Sequence, residues 1–167
     1  MNNFQRYITS TIQKMESKYR ISTDIELSDG TIASMTASRT HFSWKGLVLI
    51  SQHILIVQME NPTVSDFKQL FEAGYNFAKE TNRIPLLRGM QFGYMVIPVI
   101  VTSNPSDDLI NYAQSAPENR WCIFDFPVLL DLVTNNVHYY QQTSFWGAFF
   151  FSDLRKIASK YLTPIMP

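Results

Sequence analysis

Residues 53–78 read HILIVQMENPTVSDFKQLFEAGYNFA. Within them Ile54–Val57 is a continuous apolar run, as expected of a strand covered on both faces. Asn61–Pro62 stops that strand, because proline cannot donate to a ladder and restricts the residue before it. Thr63, with Asp66 three residues later, or Ser65, can cap the element that follows. Phe67, Leu70, Phe71, Gly74 and Ala78 then return to one face at helical spacing. The pattern predicts His53–Glu60 as a central strand running directly into a helix over Phe67–Ala78.

Working outward, Phe4, Tyr7, Ile8, Thr11, Ile12, Met15 and Tyr19 recur at steps of three and four, an amphipathic first helix. Ile21–Leu27 and Thr31–Ser38 flank Ser28–Asp29–Gly30, and Asp-Gly suits the positive φ angles of a hairpin turn. Phe42–Ile50 and His53–Met59 read as a second strand pair turning at Ser51–Gln52. Downstream, Arg83–Gly93 is a glycine-containing loop. Tyr94–Thr102 is another apolar strand, in which Pro98 predicts a bulge or an edge position. Asn104–Asp108 signals a helix start, with Leu109–Gln114 as the helix. Trp121–Phe126 reads as a strand, Pro127–Val133 as a helical turn or short helix, and Val137–Gln142 as extended. Trp146, Phe149, Phe150, Leu154, Ile157, Ala158 and Tyr161 keep helical spacing up to Pro164. No repeat or linker interrupts the chain, and its 167 residues suit one domain. The expected class is therefore a single α/β (α+β) domain spanning 1–167. Its mixed central sheet is flanked by helices in the order helix–strands–helix–strand–helix–strand–helix.

Lys+Arg and Asp+Glu both number 14, so the chain lacks the cationic surplus of a strongly basic nucleic-acid binder. Net charge leaves the distribution open, and a local basic patch is compatible with it. The lone Cys122 excludes an intrachain disulfide and a zinc knuckle, and its apolar surroundings predict a buried, inert thiol. His41, His53 and His138 show no helical ligand spacing and read as solvent-facing or core-edge residues. Met1–Arg20 has no apolar signal region, and Met95–Val101 is too short to span a bilayer. These features predict a cytoplasmic protein with no membrane partner.

The order of helix, antiparallel strands, helix, strand, short helix and strand resembles the restriction-endonuclease-like, or PD-(D/E)XK, nuclease superfamily. Trp44–Ile50, His53–Glu60 and Phe67–Ala78 look like that family's central hairpin and following helix, and the likeness extends from Phe4 to Val133. The resemblance implies an Asp on one hairpin strand and Glu-x-Lys on the next, holding a divalent metal that activates water. Here the second strand ends Gln58–Met59–Glu60–Asn61, with Pro62 two residues beyond Glu60, and Phe42–Ile50 carries no carboxylate. The motif is degenerate. The leading expectation is thus a non-catalytic binding or assembly protein on a nuclease-like scaffold, without a cofactor. The alternative is a metal-dependent phosphodiesterase or nuclease using Mg²⁺ or Mn²⁺. Glu60 would then be a ligand, joined by Glu16, Asp24 or Glu26, with Lys45 or Lys68 orienting water.

Two further segments draw attention. The loop Arg88–Gly89–Met90–Gln91–Phe92–Gly93–Tyr94 could turn backbone amides toward an anion, with Arg83 or Arg88 supplying charge and Gln91 and Tyr94 beside them. Its plainer reading is a turn delivering the chain into Tyr94–Thr102. Asp24, Glu26 and Asp29 read as a solvated strand face, and Asp107 and Asp108 as helix-capping acids. In the C-terminal segment, Phe145, Phe149 and Phe151 exceed the inward face set by Trp146, Phe150, Leu154 and Ile157. That excess predicts a partner surface, most simply a homo-oligomer.

Overall fold

The structure is a computed structural model that describes residues 2–82, 84, 91–118, 120–143 and 148–164. Helix α1 (Asn3–Met15) is followed by strands β1 (Arg20–Glu26), β2 (Ile32–Ser43) and β3 (Val48–Gln58). Helix α2 (Val64–Thr81) leads to β4 (Phe92–Thr102), and α3 (Asp107–Gln114) to β5 (Ile123–Asp125), β6 (Val128–Asp131) and β7 (Val137–His138). Helix α4 (Ala148–Ile157) ends in a π-helical turn, Ala158–Leu162.

The strands form one mixed sheet in the order β1-β2-β3-β4-β6-β7, with β5 also paired to β4. β1, β2 and β3 are an antiparallel meander, and β4 lies parallel to β3 after the α2 crossover. Helices α1 and α4 cover one face, where Tyr7, Met15, Leu154 and Ile157 pack on Ile54, Ile56 and Ile97. Helices α2 and α3 cover the other, where Phe67, Leu70 and Leu109 meet Leu55, Val57 and Ile100. The chain is thus an α+β domain of three layers. No helix among the described residues is long and apolar enough to cross a membrane.

The strand-to-helix unit forms as the sequence predicts. The Asp66 carboxylate accepts from the Thr63 amide (2.7 Å) and hydroxyl (2.6 Å) at the start of α2. Gly74 lets α2 settle onto β3, since a Cβ there would come within 2.6 Å of Leu55 Cδ1. Gly30 takes φ +82 in the first hairpin, and Asp29 accepts from the Thr31 amide and hydroxyl.

Elsewhere the structure corrects the sequence. The second hairpin turns at residues 44–47, with Leu47 at φ 48, and Ser51 and Gln52 lie inside β3. Residues 127–133 hold strand β6 and no helix, because the run docks beside β4. Pro98 sits in a central strand, not at an edge. Its neighbour on one side is β3, and on the other β5 ends opposite Val96 while β6 begins opposite Val99. A proline is tolerated where the adjoining strand is already interrupted. Cys122 is half-buried in a turn at φ 55, so the strand starts only at Ile123.

Phe151 is buried against Tyr140 of its own chain (5.4 Å between ring centroids), and Phe150 against Phe124 (4.6 Å). These contacts remove Phe151 from the rings argued to need a partner. Phe145, Trp146 and the side chain of Phe149 lie outside the described residues.

Candidate functional site at the open edge of the sheet

β1 begins at Arg20, which pairs with Ser38, while β2 runs on to Ser43. Residues 39–43 are therefore paired on one side only, to β3. Two clefts open at this edge, one on each face of the sheet. They meet at Lys18 and Arg39, which line both.

The cleft on the α4 face has a volume of about 280 Å³ and is lined by Lys18, Arg39, His41, Gln52, Lys156 and Lys160, among others. Arg39 Nε donates to Gln52 Oε1 (2.8 Å), and its guanidinium lies over the Tyr19 ring at 4.6 Å. Gln52 is fully buried, and beyond its bond from Arg39 its side chain faces the Tyr19 hydroxyl, whereas His41 Nδ1 has no hydrogen-bond partner among the described residues. The Tyr19 phenol is pushed up to about 12, chiefly by burial. His41 is held below the usual imidazole range by burial and then by the Arg39 charge. The one carboxylate lining this cleft, Asp153, is neutralised by Lys45 Nζ at 2.9 Å. Lys18, Arg39, Lys156 and Lys160 make no ion pair among the described residues. The cleft thus concentrates positive charge in a chain whose net charge is zero.

The cleft on the α2 face is larger, about 630 Å³, and its charged lining residues are all basic: Lys18, Arg20 and Arg39. Ile25, Phe77 and Ile84 form apolar wall. Ile25 reaches this face although Ile21, four residues earlier, packs on the other; Asp24, at φ 54, lies between them. The cleft is lined further by Ser38, Ser51 and His53. Ser38 Oγ lies 2.9 Å from His53 Nδ1, and Ser51 Oγ 2.8 Å from His53 Nε2. His53 is buried, not at the core edge, and burial lowers its pKa to about 4. At neutral pH the ring is uncharged, with one N–H and one lone pair, so one serine accepts from it and the other donates to it.

The residues named for a hydrolytic site do not converge. Glu60 is exposed beyond the end of β3, where its carbonyl accepts from the Thr102 hydroxyl. Lys45 is in the turn before β3, at the far end of an eleven-residue strand, a separation of roughly 35 Å. Lys68 lies on α2, 3.9 Å from Glu118. Glu26 shares the Glu60 end of the sheet, two strands away, while Glu16 precedes β1 at the other end. β2 and β3 contain no Asp or Glu. Asp24, Glu26 and Asp29 are exposed, as the sequence predicts.

Of the loop residues, Gln91 takes φ 63 and its carbonyl accepts from the Leu49 amide (2.8 Å). Tyr94 is buried opposite Ser51, and its hydroxyl accepts from Asn82 Nδ2 (3.1 Å), a residue that lines the larger cleft. Arg83 and Arg88 lie outside the described residues. Sequence reasoning missed Ser38, Arg39, Ser51, Gln52 and His53 as a set. The available signal was three consecutive polar residues abutting an apolar strand core, which also reads as a turn.

Comparison with models of known protein families, with curated proteins and with solved structures finds no match for this chain.

Proposed function

We propose that the protein is a non-catalytic binding protein on a restriction-endonuclease-like scaffold, and that its ligand is an anion seated in the α4-face cleft. The scaffold reading is supported by α1, the β1–β2–β3 meander, the α2 crossover and the parallel β4. The observation that carries the function is the gathering of Lys18, Arg39, Lys156 and Lys160, none of them ion-paired among the described residues, around one cleft. Arg39 offers planar, fixed donors suited to phosphate or carboxylate, and Lys18, Lys156 and Lys160 add mobile charge at the rim. The absence of acidic residues from β2 and β3 weighs for binding over metal-dependent hydrolysis at Glu60.

Calorimetric titration with inorganic phosphate tests the reading. Saturable one-site binding is expected, weakening as ionic strength rises and falling about tenfold or more in Arg39→Gln. No saturable binding at low salt, or equal binding in Arg39→Gln, refutes it.

A further inference from the structure

We propose that the α2-face cleft receives the uncharged, hydrogen-bonding ring body of an organic phosphate whose phosphate group sits on Lys18 and Arg39, where the two clefts meet. This rests on the anion-binding reading and extends it to the rest of the ligand.

The lining of the two clefts divides the work. On the α4 face the polar lining is mainly cationic, and its carboxylate, Asp153, is paired with Lys45. On the α2 face no carboxylate lines the cleft among the described residues, its cations stand at Lys18, Arg20 and Arg39, and the interior is rich in hydroxyls. A wholly anionic ligand would leave those hydroxyls and the apolar wall unused. A wholly apolar one would leave the half-buried Ser22 hydroxyl and the spare capacity of Ser38 unpaired. A polar, uncharged ring satisfies both. The volume of about 630 Å³ falls within the roughly 300–1,000 Å³ of small-molecule sites.

The Ser38–His53–Ser51 chain gives this lining an unusual property. Each serine uses part of its capacity on one ring nitrogen. The serine that accepts from the imidazole keeps its own proton to donate. The serine that donates to the imidazole keeps its lone pairs to accept. The cleft therefore presents one donor and one acceptor, and a change of His53 tautomer exchanges them. Neither state requires a charge. Phe77, half-buried and edge-to-face with His53 (6.0 Å between ring centroids), supplies the adjacent apolar surface for a flat ring.

Lys18 and Arg39 tie the two sites together, since each lines both clefts. A phosphate held there places its ester oxygen toward the α2 face and its free oxygens toward Lys156 and Lys160 on the α4 face.

The test titrates the full chain with inorganic phosphate, ribose 5-phosphate and adenosine 5′-monophosphate. Affinity is expected to rise in that order. Ser38→Ala and Phe77→Ala should remove most of the gain of the nucleotide over inorganic phosphate while leaving phosphate itself unchanged. The His53 imidazole ¹⁵N shifts should move with the nucleotide and not with phosphate. Ser38 is only half-buried, so its variant keeps the test sound if Phe77→Ala fails to fold. Equal affinity for all three ligands overturns this inference and leaves the anion site standing. Adenosine binding as tightly as its monophosphate overturns the shared-phosphate arrangement. Binding of none of the three overturns both.

Discussion

The two halves of β3 have the same neighbouring strands and differ in what they carry. Residues 54–57 are apolar, buried, and packed alternately toward the α1–α4 face and the α2–α3 face. Ser51, Gln52 and His53 are just as buried, at 3%, 0% and 3% exposure, and all are polar. Burial on the first half stabilises the fold directly. On the second half it is tolerated only as far as partners are found: both nitrogens of His53 have one, and Gln52 has Arg39 on its oxygen and the Tyr19 hydroxyl beside its side chain. The difference teaches that strand burial by itself does not mark core. The half that is polar, held by side-chain hydrogen bonds, faces the clefts.

The largest effect should come from the apolar half. Leu55→Ala removes a fully buried side chain seated against Gly74 and should cost about 2–5 kcal/mol in urea unfolding. Phosphate affinity of the protein that remains folded should not change. A matching loss of affinity would show that the two halves are not separable.

Acid titration sharpens the contrast next. The unfolded chain protonates His53 near its ordinary 6.5, whereas the folded chain resists until about 4. The unfolded state therefore binds more protons in that window, and stability falls as pH falls, by roughly 3 kcal/mol in total. Asp125 works in the opposite sense. Burial raises its carboxyl to about 7, so the folded state keeps a proton that the unfolded state loses, and stability falls as pH rises from about 4 to 7. The two slopes oppose each other in the wild type. Asp125→Asn should unmask the His53 slope, giving a steeper loss between pH 6.5 and 4 in denaturant titrations. Parallel wild-type and variant profiles would contradict this assignment.

Gln52→Leu tests the polar half with little change in volume. It removes the acceptor of the Arg39 bond and the amide beside the Tyr19 hydroxyl, so stability should fall by only about 1–2 kcal/mol. Phosphate affinity should fall about tenfold. A variant destabilised as severely as Leu55→Ala would place Gln52 with the core instead. Lys45→Ala should be the mildest change. Its ion pair with Asp153 is largely exposed, so the stability loss should be under about 1 kcal/mol. Phosphate binding should nonetheless weaken slightly, because Asp153 would be left unneutralised beside the cleft.

By itself the sequence determined the elements whose signals are local. The Thr63–Asp66 cap, the spacing of Phe67, Leu70, Phe71, Gly74 and Ala78, the Asp29–Gly30 turn and the apolar residues 54–57 are each read within a few positions, and each formed as expected. Tertiary structure decided whatever depends on a distant partner. Ser51 and Gln52 stay in β3 because Thr40 and Arg39 of β2 lie opposite them and Arg39 bonds the Gln52 side chain, where the isolated dipeptide looks like a turn. Residues 128–131 are a strand because β4 offers an edge, and a short apolar run has no period that distinguishes strand from helix. Pro98 lies in a central strand because the neighbour breaks there, and Phe151 turns inward because Tyr140 waits for it. The candidate site belongs to the same class. Lys18, Arg39, Lys156 and Lys160 come from the end of α1, the open edge of β2 and the C-terminal helix. Their charges cancel in the total and gather only when the chain folds.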